Sequence, residues 1–160
     1  MTIQVTVEPA TPTLEFLARV RADVEAPQLL GQTLVGERRI VPIAGGEIAG
    51  PQLRGRILPG GADWQVVYAD GTAQLEARYT VRTDDGALVY VRNLGIRHGP
   101  PEVLERIQRG EAVDPAEYYF RSTPRFEAGD ARYAWLNRIV AVGSGARLAN
   151  EVHLDIFVVK

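Results

Sequence analysis

The richest chemical juxtaposition in the sequence is a tyrosine facing an arginine. Read as two-residue hairpin loops, Asp70-Gly71 and Asp85-Gly86 fix the register of the three strands they join. Tyr79 then faces Arg92, Val81 faces Tyr90, and Trp64 faces Ala77. One side of the meander gathers Trp64, Val66, Tyr68, Leu75, Ala77, Tyr79, Val81, Leu88, Tyr90 and Arg92, and this side is the expected interior. Asp63, Gln65, Glu76, Arg78, Thr80, Arg82 and Asn93 fall on the other. A cation beside a phenol favours the phenolate and makes tyrosine a better acid or base. A guanidinium among apolar neighbours needs a carboxylate partner or an anionic or carbonyl-bearing ligand. Snorkelling of Arg92 to water from a strand end is the alternative. A three-residue loop at Asp84-Asp85-Gly86 would shift the register and separate Tyr79 from Arg92.

Arg121, Trp135 and Asn137 complete the candidate ligand set of Trp64, Tyr79, Tyr90 and Arg92. Apolar walls with a few directional polar groups are how small-molecule pockets are built, often in barrel mouths. A packed core in which these polar groups satisfy the backbone is the competing reading. Among carboxylates, Asp63 and Glu76 are expected outside and Asp84 in a turn, which argues against a general base in the interior. The two histidines, His98 and His153, are far apart, and cysteine is absent. No metal, nicotinamide or flavin is therefore expected, nor any disulfide or thiol nucleophile. Gly143-Ser144-Gly145 lacks the spacing of a nucleophile elbow, so Ser144 is expected in a turn between the last two strands. The glycines from Gly45 to Gly61 match no phosphate loop and are expected to be bends.

These residues need strands to hold them. Apolar and polar residues alternate through Leu14–Arg21, and further strands are expected at Arg38–Ile48, Leu53–Leu58, Asp63–Tyr68, Thr72–Arg82 and Ala87–Leu94. The pattern turns helical over Pro101–Arg109, with proline at its start and Gly110 as its stop. Asp114-Pro115 opens a single turn, and strands resume at Tyr118–Glu127, Asn137–Val142 and Val152–Val158. The sum is a mostly-β chain: a single antiparallel β-barrel of about nine strands with one short helix, a sandwich being the alternative. Residues 1–12, with Pro9 and Pro12, form an expected N-terminal arm, and residues 13–160 a single domain.

With 160 residues, 46% hydrophobic and 24% charged, the composition is that of a globular protein. A net charge of −2 with dispersed basic residues gives no footprint for nucleic acid. No apolar run has the length of a membrane span, and the N-terminus has no signal-peptide pattern, so a cytoplasmic location is expected.

The ordered strings Gly60-Gly61-Ala62-Asp63-Trp64-Gln65, Ala77-Arg78-Tyr79-Thr80, Asp84-Asp85-Gly86, Tyr119-Phe120-Arg121-Ser122-Thr123-Pro124-Arg125-Phe126-Glu127 and Tyr133-Ala134-Trp135-Leu136-Asn137-Arg138 carry a resemblance. Together they resemble the bacterial family called domain of unknown function 3237, from about Leu14 to Val159. The resemblance implies a β-barrel and no agreed activity. Three functions remain open: a small-molecule-binding barrel with an arginine-anchored polar end, a cofactor-independent isomerase, cyclase or lyase acting on a carbonyl-bearing apolar substrate, and an interaction module with a filled core. A small molecule is the expected partner, and homo-oligomerisation is left open.

Overall fold

The meander around the two Asp-Gly dipeptides forms, but each turn holds one residue more than the shortest hairpin. In the computed structural model, which describes residues 2–160, Tyr68 and Thr72 flank the loop Ala69-Asp70-Gly71, and Thr83 and Ala87 flank Asp84-Asp85-Gly86. The Gly71 amide donates to the Tyr68 carbonyl and the Gly86 amide to the Thr83 carbonyl, each at 2.9 Å. Gly71 and Gly86 take positive φ of 85° and 91°. This is a type I turn followed by a left-handed residue, the common three-residue hairpin, and only glycine enters it without strain.

Ten strands result: β1 (Leu14–Val24), β2 (Gln28–Thr33), β3 (Gly36–Ala49), β4 (Arg54–Ile57), β5 (Gly61–Val67), β6 (Ala73–Thr83), β7 (Leu88–His98), β8 (Tyr119–Ala128), β9 (Val140–Arg147) and β10 (Glu151–Val159). All belong to one antiparallel sheet in the order β1-β10-β9-β8-β7-β6-β4-β3-β2, with β5 between β3 and β6. Pairing of β1 with β3 closes the barrel. The successive short strands β4 and β5 share one place in the wall, between the two halves of β3 and β6. β3 bends at Gly46, where φ is 131° and a Cβ would run into the Arg21 carbonyl. The expected glycine bend is thus a barrel corner.

Three features depart from the sequence reading. β2 was not expected, and Asn137 lies in a 3-10 helix, Ala131–Arg138, before β9 begins. Ser144 sits in the middle of β9, paired with Arg121 and Asp155, and not in a turn. Residues 2–13 form no strand or helix; Met1, the first residue of the expected arm, lies outside the described residues.

The interior has two unlike halves. At the end closed by the 3-10 helix, Ile48, Leu53, Val81, Val89, Leu136 and Ile156 are fully buried and pack solidly. Each such side chain contributes roughly 1.5–3 kcal/mol. At the other end the inward positions turn small or polar: Ala77, Asn93, Gly95, Ser122, Gly143 and Gly145. Helix α1 (Pro101–Gln108) closes that end. Pro101 starts it, Val103 and Ile107 are its buried face, and Gly110 ends it with φ of 77°. None of the helices among the described residues is long and apolar enough to cross a membrane.

Candidate functional site

The one-residue register change re-sorts the side chains. Tyr79 pairs with Val91, and Arg92 pairs with Arg78, so Tyr79 points inward and Arg92 outward. The expected Tyr79–Arg92 contact does not form. Arg92 is half-exposed and donates to Glu76 Oε1 at 3.1 and 3.0 Å, while Arg78 reaches the same oxygen at 2.9 Å. On β5 the correction runs the same way. Asp63 and Gln65 turn inward, and Trp64 turns outward beneath the Arg78 guanidinium, 5.1 Å from its ring centroid.

The other expected site residues also lie outside the interior. Tyr90 is cross-strand from Thr80 and Glu127 on the outer face. Arg121 donates to the Phe120 carbonyl at 3.0 Å and stacks over Tyr119. Trp135 packs at the capped end against a small hollow shared with Phe16, Leu17 and Pro51. Asn137 exchanges two hydrogen bonds of 2.8 Å with the Ala128 backbone and fastens the 3-10 helix to β8. Of the seven expected residues, Tyr79 alone faces the interior.

What gathers inside is a different polar set. Three of the four buried polar residues, Gln65, Asn93 and Ser122, line one chamber of about 50 Å³. Its wall also carries Asp63, Tyr79, Arg97 and Arg147, set among Val20, Val41, Leu75 and Leu154. The Tyr79 hydroxyl, Asn93 Oδ1 and Ser122 Oγ are buried without any hydrogen-bond partner among the described residues. An unsatisfied buried polar atom costs about 1–3 kcal/mol, so three around one void need an explanation beyond packing. Val41, Gln65, Arg97 and Arg147 border both this chamber and a second hollow of about 470 Å³ beneath α1, its mouth.

Asp63 is held where the β5–β6 ladder opens. Ala62 and Asp63 pair with Arg78 and Ala77, and Val66 and Val67 with Gln74 and Ala73, but the residues between do not pair. Asp63 Oδ1 instead accepts the Glu76 amide at 2.9 Å, and Oδ2 accepts from Gln65 Nε2 at 2.8 Å. Burial nonetheless raises its pKa, against the opposing effect of these bonds and of Arg97 and Arg147. Burial also pushes the Tyr79 phenol up, so its hydroxyl stays a donor.

Arg97 forms no ion pair among the described residues; its guanidinium lies 5.9 Å from the Phe120 ring centroid. Burial first, then the charges of Arg147 and Arg39, push its pKa down to about 10. Arg147 is lowered by burial as well, and its only side-chain bond among the described residues is to the Glu151 carbonyl at 3.3 Å. The chamber thus combines a perturbed carboxyl, a protonated phenol, two partly buried guanidiniums and unsatisfied polar atoms. Perturbed groups clustered in a cleft make it a candidate functional site.

A wider groove of about 950 Å³ runs along the outer face past Leu94, Ile96, Tyr119 and Phe157. Three of its polar side chains are already engaged: Asp155 by Arg19, Tyr68 by Gln74 and Arg121 by backbone. The interior is the better candidate. The sequence held a signal for it, the run of small and polar residues at alternate positions of β7, β8 and β9. Apolar residues on the outside of the same strands masked it, Leu88, Leu94 and Ile96 being 52%, 41% and 48% exposed.

The geometry has relatives. A sequence model described as "Protein of unknown function (DUF3237)" matches residues 12–159. A UPF0311 protein of Rhodopseudomonas palustris is 47% identical over 148 residues, covering 91% of this chain and 97% of the relative. The crystal structure of a beta-barrel like protein from Acinetobacter baumannii superposes with a TM-score of 0.85 at 46% identity, over 96% of this chain and 99% of that one. More distant is a hydroalkoxylation enzyme of Penicillium herquei, 27% identical over 145 residues, covering 91% of this chain and 81% of that protein.

Proposed function

The chain belongs to the protein family of unknown function DUF3237, and within it we propose a cofactor-independent proton-transfer enzyme whose active site is the inner chamber. The single observation that carries this is the set of polar groups inside an apolar barrel: a carboxyl raised by burial beside three polar atoms that no protein group satisfies. Hydroalkoxylation, the activity in the name of the fungal relative, adds the O–H of a hydroxyl across a carbon–carbon double bond and needs no redox partner.

The roles follow from position. Asp63 takes the proton of a substrate hydroxyl, whose oxygen adds to the β-carbon of an unsaturated carbonyl. The π electrons move to the carbonyl oxygen, which receives the Tyr79 hydroxyl as hydrogen-bond donor. Asp63 then returns the same proton to the α-carbon. One C–O bond and one C–H bond form, and one O–H bond and one C=C bond are lost. A carboxyl raised by burial is a stronger base than an exposed one, and a buried phenol is a pre-aimed donor. The mouth accepts the remainder of an apolar substrate.

The test uses 2′-hydroxychalcone, whose ring closure by this addition is followed as loss of its absorbance. Acceleration above buffer that falls by about 10²-fold or more in Asp63→Asn supports the reading. Acceleration unchanged in both Asp63→Asn and Tyr79→Phe would overturn it. A simple binding barrel is the second reading; the enclosed chamber favours it if compounds bind without conversion.

A further inference from the structure

We propose that the neck between chamber and mouth is a carboxylate-binding site, formed by Arg97 and Arg147, which makes organic acids with an apolar body the substrate class. This deepens the reading of the chamber as a ligand site and rests on it.

Charge balance carries the inference. Arg97 and Arg147 both line the chamber and the mouth, so a molecule passing from one to the other meets them together. The one carboxylate in the chamber wall is Asp63, and both of its oxygens are committed to Gln65 and to the Glu76 amide. Nearby Glu37 is committed to Arg39 at 3.0 Å. The four residues that chamber and mouth share thus hold two guanidiniums and no carboxylate, Asp63 lying in the chamber wall and Glu37, Asp70 and Glu105 in the wall of the mouth, which leaves a local positive excess at the neck. Such an excess is unfavourable in the empty protein. It becomes favourable when a small anion enters, because a guanidinium offers a planar fork of donors matched to a carboxylate.

The surroundings set the rest of the ligand. Val41, Val67, Leu104 and Ile107 give the mouth an apolar side. The unpartnered Asn93 Oδ1 and Ser122 Oγ, on side chains more than nine-tenths buried, await a hydroxyl or carbonyl at the blind end. A carboxylate on an apolar frame, with a hydroxyl- or carbonyl-bearing arm, satisfies all three regions.

The experiment compares 1-naphthoate with its neutral isostere 1-naphthamide by isothermal titration calorimetry at constant ionic strength. The inference expects naphthoate to bind at least 10-fold more tightly than the amide. Arg97→Met and Arg147→Gln, each checked for folding by circular dichroism, should abolish that preference for acid over amide. Having two variants guards against one failing to fold. Equal binding of acid and amide, or a preference that survives in both variants, would overturn the carboxylate assignment and leave the chamber reading intact. Binding of neither probe overturns the carboxylate assignment too, and cyclisation of 2′-hydroxychalcone then decides whether the chamber reading survives it. Asp63→Asn separates the claims further: it should stop cyclisation yet keep the naphthoate preference.

Discussion

Ser122 of β8 lies directly across from Gly143 of β9, and a methyl group on Gly143 would run into the Ser122 hydroxyl. The missing side chain leaves room for the Ser122 hydroxyl at the chamber wall. Gly143→Ala is expected to destabilise the protein by about 1–3 kcal/mol through overpacking. Adding Ser122→Ala should recover most of that loss, because the clash is with the oxygen; the Ser122 Cβ would stand 3.8 Å from the new methyl. A double-mutant cycle by urea denaturation checks this, and additive losses would count against it.

Asp63 gives a pH-dependent prediction. Its pKa in the fold is raised, so the folded state holds the proton more tightly than the unfolded chain. Stability from this group is then greatest at acid pH and declines as pH rises through the folded-state value. Asp63→Asn should melt at the same or a higher temperature than the native protein at pH 7. Any gain should be about 2–4 °C per kcal/mol relieved and should shrink toward pH 4. Calorimetric melting across that range decides it. A variant destabilised at pH 7 would show that the Asp63 charge supports the fold.

Asp85 is the opposite case. The Thr83 hydroxyl, then the Tyr133 hydroxyl, and after these the charge of Arg132, hold its carboxyl below the usual range. Its contribution is present above the unfolded-state value, near 3.9, and is lost as pH falls through the lower folded-state value. Asp85→Asn should lower the melting temperature at pH 7, and the gap should close below about pH 4. A gap independent of pH would assign the effect to shape and not to charge.

Arg92 is expected to matter little. It shares Glu76 with Arg78 on the outer face, and exposed pairs of this kind are worth about 0–1 kcal/mol. Arg92→Met should unfold within about 0.5 kcal/mol of the native protein and bind 1-naphthoate as well as it does. A loss of naphthoate binding in this variant would place the anion site on the outer face.

Much of the architecture was readable from β6 and the turns. The alternation of Leu75, Ala77, Tyr79 and Val81 put the correct face of β6 inward, and Asp-Gly located both hairpins. The register was not readable, because the same dipeptide serves two-residue and three-residue loops. On β5 and β7 that single residue decided which face was inside. Hydrophobicity could not arbitrate: the chamber sets Asp63, Gln65, Asn93 and Arg97 inward, against the usual sorting. Asn137 was read as a ligand residue because it is polar within an apolar stretch, yet its amide serves the Ala128 backbone.

The closure of the sheet has a consequence for how molecules of this protein meet at high concentration. A ring of strands has no row of spare amides and carbonyls on which a neighbour can build, and misassembly of β proteins starts from such rows. β8 meets β9 at Arg121–Ser144 and Ser122–Gly143 alone, and β2 stands at an end of the sheet, where Gln28–Thr33 pair with β3 on one side. That edge is six residues long and breaks register between Leu29 and Gly31, so it is too short and too uneven to template a growing cross-β stack. Leu29 and Leu30, 68% and 55% exposed, are the residues through which any residual stickiness would act, and a lysine in place of Leu30 is the smallest change that would blunt it.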